Sequence, residues 1–575
     1  MVPETPYMTL LQSPSTAVAE LSPQHADTEE LARALSEKYG TLLPDSAARA
    51  RVPTLDDALS SPQARSEHRG KLLRWRCMVQ DTSCGNEVVM REVKGADGQK
   101  RCTLWGNDEH ETSDEDPDPT TLTERTVLYA ITPPAWSAWA RDAWQSGSEP
   151  SDDVLSTMSG LSLDPDPRQY GALSRNPSDK PAYLSKHSLA EAPGLGALLK
   201  IYDHELAETL KVTDVIDVLG VLDFSLLPGA DWSQGGAASS SSSAQLPALH
   251  VLHITPIAHN DEVPRPLTGA SSRDDLVHYL ASALGGDLLA AEWTLLGLLA
   301  RIHSRRGSLT LGALSLNLSG APAPKLFDVL TSLVPAVMLQ KMSLDHLNDP
   351  ATRMAPASDG SEAGLLAGRL QLPDGTIVLC DESSMGEGTL KDRGVANVRE
   401  LANLLSTRKL SYAFPFSSFD FETDLPFIVL SAGKSMLPVD VQVPLRSKNI
   451  VAAQAVQPTS SQLASWRTFL ARARHVDLSI PESVAEQIQA EFVQARKEGQ
   501  EGVREGQEDL LRRMAVARLV AISRGQRELS FDAWKQAVAL DEERRSRVKQ
   551  SSPATAASAA NASSTASVLG GPALG

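Results

Sequence analysis

Two adjacent carboxylates, Asp381 and Glu382, follow a short apolar run in the segment LPDGTIVLCDESSM, residues 372–385. The run at 377–380 predicts a buried strand. In a nucleotide-hydrolysing domain, such a strand delivers one carboxylate to Mg²⁺ and a second to the attacking water. The pair therefore raises the hypothesis of an ATPase site. The alternative is that the two acids simply end a strand at the protein surface.

A nucleotide site also needs a loop that binds phosphate, and the segment in the corresponding place is LSLNLSGAPAPKLFDVL, residues 314–330. The P-loop pattern G-x-x-x-x-G-K-[ST] supplies backbone N–H groups, a lysine for the β and γ phosphates and a hydroxyl for Mg²⁺. Here Lys325 comes one position early, Pro324 precedes it, and Leu326 replaces the hydroxyl residue. Pro322 and Pro324 also lack the N–H groups that this loop should present.

The phosphate-binding loop is therefore predicted to be degenerate, with both acids hydrogen-bonded locally. The sequence predicts no catalytic residue, no cofactor and no metal site. The predicted remnants of a nucleotide site are Gly320, Lys325, Asp381 and Glu382.

The histidines of LHVLHITPIAHN could suggest a metal site, since His250, His253 and His259 lie close together in sequence. A strand would place His250 and His253 on opposite faces, because their positions differ by three, an odd number. The sequence therefore favours ordinary strand and turn histidines over a zinc site.

The four cysteines are too few for a disulfide framework, and none forms a Cys-x-x-Cys pair or belongs to a Cys/His cluster at zinc spacing. They are Cys77, Cys84, Cys102 and Cys380. We expect a reduced intracellular compartment, with Cys77 and Cys102 as small buried residues.

Three tryptophans, Trp136, Trp139 and Trp144, lie in the segment AWSAWARDAWQ. Aromatic side chains in the loops of a β-domain can stack on nucleotides. The acidic surroundings favour packing or partner binding instead.

The basic segment EERRSRVKQ (542–550) predicts a solvated helix end, with a nuclear import signal as the alternative.

The charge balance limits the classes of partner. The chain has 54 Lys and Arg against 72 Asp and Glu, a net charge of −18 at pH 7. Because non-specific nucleic-acid affinity comes mainly from basic residues, autonomous DNA binding is disfavoured, and basic protein surfaces are favoured. The N-terminus lacks the pattern of a secretory signal, and no apolar run is long enough to cross a bilayer. We expect a soluble protein inside the cell, with no membrane partner.

A length of 575 residues predicts two or three domains. Alternating apolar and polar stretches between 71 and 260 predict strands, and a five-stranded barrel would suit their number. After 272, strands alternate with helices, including a buried helix at 287–307, which predicts a mostly parallel sheet. The predicted organisation is an N-terminal region with a short helix (1–70), a β-domain (71–265) with disordered insertions (145–195 and 230–245), an α/β domain (272–450), a C-terminal helical region (461–549) and a disordered tail (550–575).

Several blocks, taken together and in order, resemble the mini-chromosome maintenance (MCM) complex-binding protein family. The blocks run through residues 71–540 and include RCMVQD, TLTERTVLYAITPP, VTDVIDVLGVLDFS, LHVLHITPIAHN, LGGDLLAAEWTLLGLLARIHSRRGSLTLGALSLNLSG, GLLAGRLQLPDGTIVLCDESSMGEGTLKDRGVANVRELANLL, LSYAFPFSSFDFETDLPFIVLSAGKSMLPVD and LVAISRGQRELSFDAWKQA. The resemblance implies a eukaryotic nuclear protein that binds MCM helicase subunits, stabilises or helps to assemble them, and takes part in unloading MCM complexes from chromatin late in S phase. It also implies a link to sister-chromatid cohesion. Chromatin association would then occur through MCM.

Some of these blocks are similar, more weakly, to the AAA+ region of the MCM subunits themselves. AGRLQLPDGTIVLCDESSM is similar to the stretch through the Mg²⁺-binding strand, and FIVLSAG to the strand that carries a sensor asparagine. This chain has Gly433 or a neighbour at the asparagine position, and LPVDVQVPLRSKN lacks the arginine-finger motif Ser-Arg-Phe-Asp.

These similarities imply an α+β multidomain fold. An OB-like β-barrel domain would precede a degenerate AAA+-like α/β domain with a C-terminal helical lid-like region. The leading hypothesis is a non-enzymatic binding protein and assembly factor of MCM subunits. The alternatives are a weak Mg-ATP-dependent AAA+ ATPase and a nucleic-acid-binding OB-fold protein.

Overall fold

The chain folds into two compact units. A computed structural model describes residues 7–25, 27–90, 92–94, 100–102, 104–105, 122–146, 194–225, 246–257, 273–307, 309–358, 365–446, 457–498 and 507–551. Unit 1 consists of Met1–Asp261, Ala351–Asp374 and Leu410–Phe421. Unit 2 consists of Glu262–Pro350, Gly375–Lys409 and Glu422–Gly575.

The described strands are short except for four long strands between residues 72 and 257. They are β1 (Leu72–Asp81), β2 (Asn86–Met90), β3 (Glu92–Lys94), β4 (Lys100–Cys102), β5 (Leu122–Ile131), β6 (Gly196–Ile201), β7 (Val215–Ser225), β8 (Leu246–Ile257), β9 (Ser304–Arg306), β10 (Leu309–Leu311), β11 (Leu316–Ser319), β12 (Val337–Lys341), β13 (Ile377–Asp381), β14 (Lys409–Phe414), β15 (Ser417–Glu422), β16 (Phe427–Ser431) and β17 (Val441–Pro444).

The described α-helices lie mainly at the two ends of the chain. They are α1 (Met8–Gln12), α2 (Pro14–Leu21), α3 (Thr28–Tyr39), α4 (Ser46–Arg49), α5 (Leu55–Leu59), α6 (Pro62–His68), α7 (Ala138–Ser146), α8 (His204–Thr209), α9 (Arg273–Ala283), α10 (Leu288–Leu299), α11 (Leu326–Leu333), α12 (Leu344–Asn348), α13 (Asp392–Thr407), α14 (Ser460–Arg474), α15 (Glu482–Glu498), α16 (Gln507–Ser523) and α17 (Phe531–Ser551).

Unit 1 contains a six-stranded sheet in the order β1-β7-β8-β6-β5-β2, and β1 also pairs with β5. The pairs are antiparallel except for β6 with β8, which are parallel. The sheet therefore has one strand more than the five expected from the sequence, because β2 adds to the edge of β5. The mixed α and β content is confirmed, whereas the OB-like assignment stays a prediction.

A bulge in β8 changes which side chains share a face. Leu219 pairs with His253 and Gly220 with Val251, so Leu252 is an extra residue in the pairing. His253 accordingly lies against Ser36 of helix α3, and His250 lies against Tyr202 and Trp105. The prediction that these two histidines occupy opposite faces is wrong, because the inserted residue shifts the alternation by one position.

Apolar clusters stabilise unit 1, and two of them are large. One lies within the sheet and includes the fully buried Trp75, Cys77 and Ile216. The other includes Leu31, Leu35 and Tyr39 of α3 together with Leu219 and Leu252 of the sheet. The spacing of the α3 residues places them on one helix face, so the leading helix covers the sheet through an amphipathic stripe.

Unit 1 also buries an ion pair. Arg76 donates to both carboxylate oxygens of Asp217 at 2.6 Å, and both residues are buried. The neighbouring Arg74 lies over the Trp144 ring, 4.7 Å from its centroid, and donates to the Trp144 carbonyl oxygen. Trp144 is buried, so the packing interpretation of this tryptophan is confirmed.

Unit 2 contains a five-stranded sheet in the order β12-β13-β16-β11-β17, and every neighbouring pair is parallel. The parallel sheet predicted from alternating strands and helices is therefore confirmed. Parallel strands are usually buried on both faces, which accounts for the continuous apolar runs of β13 and β16.

Helix α10 is buried around most of its circumference, including Trp293. Tyr279 of α9 stacks on Trp466 of α14, with ring centroids 5.1 Å apart.

The helix predicted at 287–307 ends at Leu299, and the last part of this range contains β9, which pairs with β10. Tertiary contacts account for the difference. Asp424 accepts the N–H of Ile302 at 3.2 Å, and Arg305 donates to the Thr423 carbonyl oxygen at 2.8 Å. These partners lie more than a hundred residues away in the chain, so local periodicity does not reveal them.

The basic segment 542–550 ends helix α17, as predicted, but it is only partly solvated. Arg544 and Arg547 of α17 are buried. Arg547 donates to both oxygens of Asp287, at 2.8 and 2.6 Å, and Arg544 pairs with the buried Asp541. Buried arginines require such partners because desolvation of an unpaired charge is costly.

The predicted disordered segments lie largely outside the described residues. Residues 145–146 end helix α7, residues 194–195 precede β6, and residues 550–551 end helix α17. The remaining parts of 145–195 and 550–575, and all of 230–245, lie outside the described residues, as does His259.

Candidate functional site at the carboxyl edge of the parallel sheet

The sheet of unit 2 brings the ends of three strands to one edge. Ser319 of β11 pairs with Ser431 of β16, and Asp381 of β13 pairs with Leu430 of β16. The residues that follow, Gly320 and Glu382, therefore begin loops at the same edge. In open α/β sheets this carboxyl edge is the usual place for a ligand.

The loop after β11 begins with a left-handed glycine. Gly320 has a φ of +102° and donates its N–H to the Ser431 carbonyl oxygen at 2.9 Å. The N–H of Leu326 donates to the Ala323 carbonyl oxygen at 3.1 Å. Because prolines occupy positions 322 and 324, four of the seven residues from 320 to 326 have no free N–H for a phosphate. The loop is thus a poor anion cradle.

Lys325 stands at the N-cap of the short helix α11, and its side chain makes no capping hydrogen bond. The side chain is exposed. The structure therefore brings Gly320, Asp381 and Glu382 to one edge, with both Gly320 and Glu382 bonded to β16. It leaves Lys325 pointing to solvent at the start of the next helix.

The two acids have different partners. Asp381 accepts the N–H of Ser383 at 2.9 Å through Oδ1, and the Ser383 hydroxyl contacts the same oxygen. Glu382 instead binds the loop after β16. Its Oε1 accepts from the Ser435 hydroxyl at 2.7 Å, and its Oε2 accepts from the N–H of Met436 at 3.4 Å.

Glu382 is partly buried. Burial raises the pKa of Glu382 above its ordinary value, and the hydrogen bonds from Ser435, Met436 and Leu437 only partly oppose this. A carboxylate that activates water must face the water. Glu382 faces Ser435, so its geometry supports a structural tie between β13 and the loop after β16.

A second polar group at this edge was missed by sequence reasoning. Asn317, buried in β11, donates its amide to the Gly433 carbonyl oxygen at 3.2 Å. The Ser431 hydroxyl lies 2.8 Å from Asn317 Oδ1 and 2.7 Å from the Gly433 oxygen. The available signal in the sequence was a polar residue between Leu316 and Leu318 in a predicted strand. The loop after β16 is thereby held from two neighbouring strands.

This loop contains the triplet Gly433-Lys434-Ser435, the same three residue types that end a P-loop. Ile428 stands where the first glycine of that motif belongs, and β17 follows the triplet where a P-loop has a helix. The Ser435 hydroxyl donates to Glu382, so it is oriented toward a carboxylate. The triplet is therefore not a phosphate-binding loop.

The remaining candidates are structural. Cys77 and Cys380 are buried as free thiols, in agreement with the packing role predicted for Cys77; the side-chain environment of Cys102 lies outside the described residues. Burial raises the pKa of both buried thiols, so neither is a reactive thiolate.

Within the described ranges, no group of three or more His, Cys, Asp or Glu side chains is arranged to hold a metal ion. No described helix is both long and apolar enough to span a membrane.

Comparison with known proteins gives a consistent result over most of the chain. The family model described as "Mini-chromosome maintenance replisome factor" matches residues 39–162 and 164–548. A protein of Salmo salar named "Mini-chromosome maintenance complex-binding protein" is 29% identical over 560 residues, covering 83% of this chain and 88% of the relative. A protein with the same name from Danio rerio is 28% identical, covering 83% of this chain and 88% of the relative. Another from Arabidopsis thaliana is 27% identical, covering 88% of this chain and 92% of the relative.

Proposed function

The chain belongs to the mini-chromosome maintenance replisome factor family, and on that premise we propose that it binds MCM subunits as a non-enzymatic assembly factor. The relatives carry MCM complex binding in their name, and none of the three names quoted above describes an enzyme. Binding would use protein–protein contacts, with chromatin association arising through MCM.

The observation that carries the non-enzymatic part is the position of Glu382. Its carboxylate is bound by Ser435 and by the N–H of Met436, so it is not directed toward a nucleotide or a water molecule. The loop after Gly320 adds support, because two prolines remove N–H donors that a phosphate would require. These contacts favour a scaffold that retains the sheet of a nucleotide-binding domain without its reaction.

The proposal includes a specific architecture. Unit 2 would be a degenerate AAA+-like domain, which the parallel order β12-β13-β16-β11-β17 supports. Helices α14–α17 would form the lid-like region. Unit 1 would contain an OB-like domain. Support comes from the pairing of β1 with both β5 and β7, from the parallel pair of β6 with β8, and from helix α8 between β6 and β7.

The wider role implied by the resemblance is part of the same proposal. The protein would act in the nucleus during DNA replication, in stabilising, assembling and unloading MCM complexes, and in sister-chromatid cohesion. A fluorescently tagged full-length chain in cells of its own species should accumulate in the nucleus. Its depletion should lower the amount of soluble MCM complex and delay MCM removal from chromatin.

Binding is tested with the purified full-length chain and each purified MCM subunit. We expect at least one subunit to be retained by the immobilised chain, and the failure of all of them to bind would refute the proposal.

Nucleotide binding is tested by calorimetry with Mg-ATP on the wild type and on Glu382→Gln. Glu387→Gln, an exposed glutamate in the same loop, serves as the control. Heat of binding that disappears only in Glu382→Gln would instead support an ATPase.

A further inference from the structure

The hairpin of β14 and β15 carries exposed aromatic side chains close together. The relative exposure is 102% for Phe416, 56% for Phe419 and 37% for Phe421. All six residues of β15 are exposed. Isolated exposed apolar residues are common on protein surfaces, but a contiguous group of large ones marks an interaction site. Three phenylalanines within six residues form such a group.

Backbone hydrogen bonds and one aromatic contact at its base hold the hairpin in place. The N–H of Ala413 donates to the Pro356 carbonyl oxygen at 3.1 Å, and the N–H of Ser358 donates to the Ala413 carbonyl oxygen at 2.8 Å. Tyr412 is buried at the base and contacts Phe421 edge-to-face, with ring centroids 4.4 Å apart. The aromatic tip is therefore presented by a preformed strand pair, which lowers the entropy lost on binding.

The other edge of the hairpin is available for pairing. In the part of the chain that the structure describes, β14 is the one strand neighbour of β15. An exposed edge strand is a template for association with another chain. Natural proteins usually protect such an edge, so its retention here favours a binding role.

The charge of the hairpin distinguishes among the partners that could bind it. Between Lys409, the first residue of β14, and Glu422, the last residue of β15, the sequence has one charged residue, Asp420. Asp420 is exposed on β15, whereas Glu422 pairs with Arg305 at 3.3 Å. A hairpin tip whose one charge is negative lacks the basic groups that attract nucleic acid, although phenylalanines could stack on bases. A second copy of a chain with a net charge of −18 is likewise a poor partner.

We infer that this hairpin is a docking element for an MCM subunit, an inference that rests on the proposed function. Phe416 and Phe419 insert into an apolar pocket on the subunit, and Asp420 meets Lys or Arg side chains at the rim of that pocket. Aromatic anchors surrounded by polar contacts are the usual form of an interface hot spot.

The test compares the full-length wild type with the double variant Phe416→Ala/Phe419→Ala, using each purified MCM subunit that binds the wild type in biolayer interferometry. The control is Val88→Ala, which truncates an apolar side chain of 62% exposure on β2 of the same unit. Asp420→Lys and Asp420→Asn test the charge. We expect the double variant to weaken binding by about 10-fold or more, as removal of hot-spot anchors does, with Val88→Ala unchanged. Asp420→Lys should weaken binding more than Asp420→Asn.

Four results would overturn the inference while leaving the proposed function intact. The first is an affinity of the double variant within about twofold of the wild type. The second is a wild-type dimer in light scattering that the double variant converts to a monomer, since a second copy would then be the occupant. The third is a clear fall in the melting temperature of the double variant alone, since the chain would then cover its own hairpin. Binding of single-stranded DNA that the double variant loses, with MCM binding unchanged, would identify a nucleic-acid site. If no subunit binds the wild type, the proposed function itself fails.

Discussion

Asp287 stabilises unit 2 in two ways, and the substitution Asp287→Asn separates them. Its Oδ1 accepts the N–H groups of Leu289 and Ala290, at 3.1 and 3.2 Å, and thereby caps helix α10. Both of its oxygens also accept from Arg547, and Oδ2 accepts the N–H of Arg446 at 2.8 Å. The side chains of Asp287 and Arg547 are 2% and 10% exposed, so the pair is buried.

The two roles of Asp287 contribute different amounts to the free energy of unfolding. Asparagine is as good an N-cap as aspartate, and loss of the cap costs about 1 kcal/mol. Removal of one partner from a buried ion pair costs about 3–5 kcal/mol, because the other charge remains buried. We therefore expect Asp287→Asn to destabilise unit 2 by about 3 kcal/mol and Asp287→Ala by about 4 kcal/mol.

Arg547→Met should cost less, about 1–2 kcal/mol, because Asp287 keeps three backbone N–H donors. The double variant Asp287→Asn/Arg547→Met should be more stable than the sum of the single changes predicts. We expect a coupling of about 1–2 kcal/mol, as for groups that contact each other directly.

The assay is hydrogen exchange with mass spectrometry on the full-length chain, because a chain of two units need not unfold in one step. The free energy of opening is read from the amides of helices α10 and α17, and helix α3 of unit 1 is the internal reference. Glu542→Gln, which removes an exposed charge from α17, is the matched control. An opening free energy for Asp287→Asn within about 0.5 kcal/mol of wild type would refute the buried-pair argument.

Two further predictions concern unit 1. Burial lowers the pKa of His253 below its ordinary value of 6.5, so the unfolded chain binds more protons and stability falls as the pH drops below about 6.5. Exchange of the α3 amides, corrected for intrinsic rates, should speed up between about pH 7.5 and about pH 5.5 in the wild type. The change should be smaller in His253→Asn, which can still accept from Ser36, and an equal change in both would contradict the assignment. Asp217→Ala should destabilise the sheet by about 3–5 kcal/mol, because it leaves Arg76 buried without its carboxylate. Exchange of the β1 and β7 amides measures this, and a loss below about 1 kcal/mol would show that Arg76 finds another partner or reaches water.

The local sequence was sufficient to predict whether most elements of unit 2 are strands or helices. The apolar runs of β13 and β16, separated by the amphipathic pattern of α13, predict alternating strands and helices without reference to the rest of the chain. Such patterns arise because each element must bury one face or, in a parallel sheet, both faces. Partners two residues apart were also predictable, as for Asp381 and Ser383.

Long-range pairing was not predictable. Glu382 binds Ser435 across 53 residues, and Arg547 binds Asp287 across 260 residues. Both charged residues stand in polar surroundings in the sequence, where exposure is the ordinary expectation. Burial of such groups depends on the arrival of a specific partner, so the sequence pattern did not reveal the buried arginines at the basic end of α17.

By itself, the sequence determined the type of most elements, the parallel sheet, the two prolines in the loop after β11 and the family resemblance. These depend on residue types and on spacings within one element. Only the tertiary structure decided that Leu252 is inserted opposite Leu219 and Gly220, that residues 351–374 and 410–421 belong to unit 1, and that Glu382 is bound by Ser435. The physical reason is that register, unit membership and the pairing of a buried charge are set by cross-strand and inter-element contacts. No spacing within a single element encodes them.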